Sequence, residues 1–365
     1  MIAAVREFAN RFLGRGEATI TVPSFDGALK PNQTLEAAET LLECVAPEDL
    51  ASDGQNLYVA DGRRLLRLEA RTATKLRVFD RPISALCALP DRGLAVALGG
   101  REVRIYPNPA SGDPVRTFTN TAFNAINALA QGPEGTLIAT DGSATCGVDE
   151  WTRDLMELNR SGRVFRLDPA SGSMTPLAEK LGHAFGACDC YGGTLISESW
   201  RHRLLLIADD GSTRVVLGHL PVYPSRISKA TKGGYWLTAF TARTQLVEFV
   251  LREPAYRRRM MAEIDPAYWV APRLRSGFSF KEPMQGAHIK TMGVIKPWAP
   301  PRSYGLVIRL SAEGTPLYSL HSRVDGLNHG IVSAIESEGD LVLIAKGPCR
   351  VLRLSLASLA EEFGA

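Results

Sequence analysis

Soft-metal or redox chemistry would fall to six cysteines: Cys44, Cys87, Cys146, Cys188, Cys190 and Cys349. Only Cys188 and Cys190 stand close together, and a C-x-C step on a strand turns both sulfurs to one face. A tetrahedral zinc site needs a second pair, and none follows. The six read as free thiols packed like small hydrophobes, which suits a reducing compartment. For nucleophilic or hydride chemistry, the chain has no G-x-S-x-G elbow, no P-loop and no dinucleotide fingerprint on a strand-turn-helix. Serine-hydrolase, nucleotide-hydrolase and dehydrogenase readings are therefore disfavoured. Asp61-Gly62 and Asp141-Gly142-Ser143 recur at equivalent places, so they read as turn chemistry.

Any remaining chemistry depends on how the fold gathers scattered residues. Six times a short apolar run, a Gly-bearing turn and a second apolar run recur: Pro47 to Leu68, Ile83 to Ile105, Ile126 to Leu167, Phe185 to Ile207, Pro224 to Phe249 and Val332 to Leu356. Each reads as strand, turn, strand, turn, strand, with LVEF (Leu246 to Phe249) closing the fifth. Outermost strands are expected from stretches such as Ser212 to Leu217 and Pro316 to Leu320. One such sheet cannot bury both faces, whereas six set radially bury them against each other. The predicted fold is all-β, a six-bladed β-propeller; a β-sandwich would fit the turns but not the recurring phrase.

The predicted division is an N-terminal helical or extended segment over 1–42 and the propeller over 43–365, with cap-like insertions near 143–161 and 250–303. A chain of 365 residues with 45% hydrophobic and 22% charged residues, 33 Gly and 22 Pro suits a turn-rich β protein. A formal charge of +3 and the lack of a nucleic-acid motif or basic block argue against nucleic acid. No transmembrane run or signal peptide is legible, so a cytoplasmic location is expected. Ile2, Val5, Phe8, Ala9 and Phe12 have helical spacing and read as a short helix packed on the propeller, the alternative being a membrane-surface or partner helix.

The phrases PEDLASDGQNLYVADG, INALAQGPEGTLIATDGS, GRVFRLDPASG, LPVYPSRISKATKGGYWL and YGLVIRLSAEGTPLYSLHS resemble those of strictosidine synthase-like proteins. That family lies within the superfamily of gluconolactonases, senescence marker protein 30 and paraoxonases. The resemblance runs from Cys44 to Leu356, and Cys146 to Arg160 and the helix-like Leu246 to Glu263 resemble family insertions over one mouth. It implies a site where the innermost strands begin, at the channel. In metal-dependent members, oxygen ligands from several blades hold a calcium ion that polarises an ester or lactone carbonyl.

By that resemblance Glu48, with Asp49 beside it, matches the first metal ligand and Asn127 the second. The next two positions depart. Phe185 follows Ala184 where relatives have Asn, and Ser225-Arg226 stands where they have Asp-Asn. A guanidinium near a cation is costly in a desolvated channel. The site therefore reads as degenerate for metal, with no cofactor expected and Ca²⁺ as the alternative. The residues expected at the mouth are Glu48, Asp49 and His329 for catalysis, and Asn127, Phe185, Ser225, Arg226 and His183 for substrate. Arg226 is read either as half of a buried ion pair tying blades together or as a bidentate anion grip beside a Glu48 or Asp49 base.

Strictosidine synthase is implied to use a Glu on its last blade as base. The stretch Asn328 to Glu336 offers no equivalent facing the channel, so true strictosidine synthesis is not expected. The segment Arg252 to Ser303, with Tyr268, Trp269, Phe278, Phe280, Met284, His288, Met292 and Trp298, reads as a cap with an apolar lining, or as a contact in a homo-oligomer. Arg257-Arg258-Arg259 reads as a solvated helix face. The expected function is a small-molecule hydrolase of lactones or esters, or an acid-base catalyst, acting on a substrate with anionic and apolar parts. The alternative is a non-catalytic ligand-binding or scaffold propeller, which a channel closed by Arg226 and Glu48 would favour.

Overall fold

The computed structural model describes residues 22–69, 71–121, 123–277, 279–282, 290–291, 294–295 and 303–364. The N-terminal helix expected around Ile2 to Phe12, and Phe278, Met284, His288, Met292 and Trp298 of the cap, lie outside these described residues. The fold is the expected six-bladed β-propeller.

Each blade is a four-stranded antiparallel sheet. Blade one comprises Pro47–Ser52, Leu57–Asp61, Arg64–Glu69 and Thr72–Val78, from the channel outward. The next three blades begin with innermost strands Ile83–Ala88, Ile126–Gln131 and Ala184–Cys190 and repeat that order. Innermost strands contact one another in sequence, and the first also meets the last, Ile331–Ser337. Apolar side chains fill each seam. Tyr58 and Leu65 meet Leu86, Val96 and Leu98 between blades one and two, and Leu237, Leu306 and Ile308 meet Leu195 and Leu204 between four and five.

The fifth blade differs from expectation. Its strands are Val222–Lys229, Tyr235–Ala242, Gly305–Leu310 and Pro316–Ser322, so LVEF is not its third strand. Those residues lie in the helix Gln245–Arg252, started by the Thr244 hydroxyl accepting from Val247 N–H at 3.2 Å. Val247 and Val250 are buried at helical spacing, and that face decides the local structure. The sixth blade takes its outermost strand from the other end of the chain. Glu39–Glu43 pairs with Arg350–Ser355, so a division at 42/43 cuts through a strand that closes the ring.

The Asp-Gly turns form a repeated clamp. Asp61 accepts from the main-chain N–H groups of Val45 and Ala46 and pairs with Arg64. Asp141 accepts from Ala125 N–H and pairs with Arg163, while Glu198 accepts from Gly182 N–H and pairs with Arg203. Each carboxylate ends a second strand and fixes the chain entering an innermost strand.

This end of the blades also carries the insertions. Ile126 registers with Asp141 and Val222 with Ala242, so chain leaving a second strand emerges beside the start of an innermost one. The helix Trp151–Glu157 leaves blade three there, and Gln245–Arg252 and Pro254–Glu263 leave blade five. Leu155, Met156, Val247, Val250, Met260 and Trp269 join one apolar cluster with residues of blades one and six. Both insertions therefore cap the same mouth of the channel.

Candidate functional site

One side chain from the fifth blade reaches all the others. Arg226 Nη1 donates to the carbonyls of Glu48 at 2.9 Å and Val332 at 3.3 Å, on blades one and six. Its Nη2 donates to the carbonyls of Ser84 at 2.8 Å and Asn127 at 2.6 Å, on blades two and three. Phe185 of blade four places its ring 5.3 Å from the guanidinium carbon. The carboxylates complete the shell, Glu48 Oε1 at 3.4 Å from Nη2 and Asp49 Oδ1 at 3.1 Å from Nε. The innermost strands of blades four and five can come this close because residue 186 is glycine: a Cβ there would lie 2.4 Å from the Ser225 carbonyl oxygen.

The adjacent carboxylates differ in role. Asp49 is 3% exposed and accepts from Leu50 N–H, Leu86 N–H and the Ser333 hydroxyl. Burial pushes its carboxyl up, against the pull of Arg226. Both of its oxygens are engaged by these donors and by Arg226, so it is not the expected base. Glu48 faces the mouth with its side chain 25% exposed, and Lys346 Nζ donates to its Oε2. Burial opposes its ionisation, but Lys346 and then Arg226 outweigh that and hold it below the ordinary range.

A second cluster lies beside the first. Asn127 Nδ2 donates to the Ala184 carbonyl at 3.0 Å and faces His183 Nε2 at 3.2 Å. His183 Nδ1 meets Asp154 Oδ2 at 3.2 Å, and Trp200 Nε1 donates to the same oxygen at 2.7 Å. These partners assign the proton of a neutral imidazole to Nδ1 and its lone pair to Nε2. The Trp200 ring stacks on His183 with centroids 4.3 Å apart. Burial opposes ionisation of Asp154, but its contacts, that of His183 foremost, keep its carboxyl low. Gly142 makes room for the cluster, since a Cβ there would lie 2.3 Å from Asn127 Nδ2 and 2.7 Å from His183 Cε1. Trp151, Phe185, Trp200 and Phe240 form an aromatic wall at the same place.

Glu48, Asp49, Asn127, His183, Phe185 and Arg226 are thus brought together, while Ser225 and His329 are not. The Ser225 hydroxyl is fully buried against Thr238 Oγ1 at 2.7 Å and the Ile331 carbonyl, turned away from any substrate. His329 has both ring nitrogens occupied, by the Ser303 hydroxyl and the Arg323 carbonyl, each at 2.7 Å. Its ring is held between the connectors at Ser303 and Arg323, outside the Arg226 and His183 clusters. The expected bidentate grip of Arg226 on a substrate anion also fails, because both terminal nitrogens already donate to carbonyls of the protein and Nε faces Asp49.

Lys346, Asp154 and Trp200 were not singled out from sequence. Lys346 had a readable signal: it stands directly after a second strand, where blades one, three and four have Gly62, Gly142 and Ser199. Asp154 and Trp200 had none, since only the fold brings them to His183.

The channel residues do not fit a calcium ion. The oxygens that converge there already surround a guanidinium, and the Asn127 amide points to His183. Among the described residues no three His, Cys, Asp or Glu side chains could jointly hold a metal.

No family model matches the chain. It is 22% identical over 353 residues to the adipocyte plasma membrane-associated protein of Salmo salar, and 25% identical over 354 residues to that of Danio rerio. Each match covers 87% of this chain and 76% of the relative. Among solved structures, a gluconolactonase from Xanthomonas campestris matches with a TM-score of 0.54 at 15% identity, covering 92% of this chain and 95% of that one. A calcium-binding regucalcin from Agrobacterium tumefaciens matches with a TM-score of 0.53 at 12% identity, covering 87% and 92%. These structures share the propeller fold. Among the described residues no helix is long and apolar enough to cross a membrane.

Proposed function

We propose that this chain is a metal-independent hydrolase of small lactones or esters, working at the capped mouth of a gluconolactonase-type propeller. The Asp154–His183 pair carries the reading. Asp154 orients the imidazole and stabilises the cation that forms when Nε2 takes a proton. Nε2 faces the Asn127 amide at 3.2 Å, and with His183 2% exposed a water reaches Nε2 by displacing that amide and would then be held for attack. The water proton passes to Nε2 as its oxygen bonds to the carbonyl carbon. The expelled alkoxide then recovers that proton from the imidazolium. Lys346, half-exposed at the mouth, supplies a donor for the developing oxyanion, and the aromatic wall takes the apolar part of the substrate. A gluconolactonase among the structural neighbours supports the substrate class. A cytoplasmic site of action belongs to the same proposal.

The closed shell around Arg226 favours a second reading, a ligand-binding propeller without catalysis. Turnover of a panel of lactones and aryl esters separates the two. Hydrolysis by the native protein should fall by roughly 10²–10⁴ in His183→Asn and in Asp154→Asn. Saturable binding of the same compounds with no turnover by the native protein would establish the second reading instead.

A further inference from the structure

Away from the channel cluster, the helices Trp151–Glu157 and Pro254–Glu263 flank a cleft of about 830 Å³. It shares no lining residue with the proposed hydrolytic site, and its volume is that of a pocket for one small molecule. Met156, Met261 and Trp269 supply apolar lining.

The two walls differ in charge. One is acidic: Asp149, Glu150 and Glu157 line it with a single cation, Arg153, which holds Glu157 at 2.8 Å and Glu150 at 4.0 Å. On the other stand Arg257, Arg258 and Arg273, whose hydrogen bonds go to the main-chain carbonyls of Leu251, Pro254, Pro266 and Trp269. Among the described residues none of these three guanidinium groups has a carboxylate within ion-pair distance. Burial, and then the charge of Arg258, disfavour the Arg257 cation, while Glu282 and Asp265 act on Arg273 from beyond ion-pair distance. Arg259, one residue on, points elsewhere and pairs with Glu263 at 3.0 Å.

We infer that this cleft binds a single-chain amphiphilic anion, its carboxylate or phosphate monoester head on the Arg257, Arg258 and Arg273 wall and its apolar body against Met156, Met261 and Trp269. Guanidinium groups suit such heads because each can donate two parallel N–H bonds to two oxygens. The apolar body has Met156, Met261, Ala262 and Trp269 to lie against, with the acidic wall of Asp149, Glu150 and Glu157 turning the anionic head toward the arginines.

Calorimetric titration of the full chain with decyl phosphate, kept below its micellar concentration, tests this. One molecule should bind per chain, and Arg258→Ala and Arg273→Ala should each weaken binding by roughly tenfold. Arg259→Ala should leave the affinity unchanged, and decanol should bind more weakly than decyl phosphate. Thermal unfolding of each variant separates lost binding from lost folding, and Arg258 is exposed enough for its substitution to leave the fold intact. No binding by the native protein, or equal losses in Arg258→Ala and Arg259→Ala, would overturn the inference. So would Arg258-dependent capture by phosphatidylcholine vesicles containing phosphatidic acid without binding of the monomer, since the anion would then belong to a bilayer.

Discussion

The ring of Phe185 lies 5.3 Å from the guanidinium carbon of Arg226, so two residues 41 positions apart form one cation–π contact in the channel. Both stand where the family resemblance calls for oxygen donors. One change supplies an internal cation and the other supplies an aromatic face against it. Such contacts are worth about 2 kcal/mol when desolvated. The two departures are therefore coupled, and the channel is organised around a side-chain charge.

Removing that charge should be costly. Arg226→Ala strands the carboxylates of Glu48 and Asp49 and the carbonyls of four blades, and should destabilise the protein by about 3–5 kcal/mol in denaturant unfolding. Arg226→Lys keeps the charge but loses the planar fork, and should recover less than half of this. A loss below about 1 kcal/mol for Arg226→Ala would show that the shell does not hold the blades together.

Restoring oxygens should restore a cation site. The combined substitutions Phe185→Asn, Ser225→Asp and Arg226→Asn replace the guanidinium and its aromatic face with hard donors. This variant should gain a calcium-dependent rise in unfolding temperature that the native protein lacks. A calcium-dependent rise in the native protein as large as in the variant would contradict this account of Arg226.

Glu48 gives the protein a pH dependence of defined sign. Its folded carboxyl is held low, so its stabilising contribution is complete above the unfolded value of ~4.3 and is lost as pH falls through the folded value. Asp49 acts oppositely, because burial raises its carboxyl and its ionisation detracts from stability as pH climbs past the unfolded value. Unfolding temperatures measured on acidification should fall more steeply for the native protein than for Glu48→Gln. Parallel curves would remove Glu48 from the account.

Much of the fold was legible because each blade spells out its own strands and turns. Leu57 to Asp61, Leu137 to Asp141 and Leu341 to Ala345 all read as second strands before a turn. The fifth blade misled because Leu246 to Phe249 is an apolar run where a third strand was due, and a helical stripe and a strand cannot be told apart over four residues. The closing strand Glu39–Glu43 pairs across some 310 residues, beyond any local signal. At the site, the family resemblance pointed to Glu48, Asn127 and Phe185, which stand at the start of innermost strands. It could not show that Arg226 is saturated by carbonyls, since main-chain oxygens have no residue signature. Nor could it show that an insertion returns Asp154 to His183, 29 residues away.

The central claim is that hydrolysis at this mouth depends on His183 and needs no metal. Its most direct test is the rate of lactone and aryl-ester turnover after exhaustive chelation, measured with and without added calcium, in the native protein and in His183→Asn. Asparagine suits the left-handed backbone of residue 183, where φ is 61°, while removing the imidazole. The account predicts a native rate unchanged by chelator or calcium and a rate near background in His183→Asn. Activity abolished by chelation and restored by calcium, with His183→Asn as active as the native protein, would contradict it.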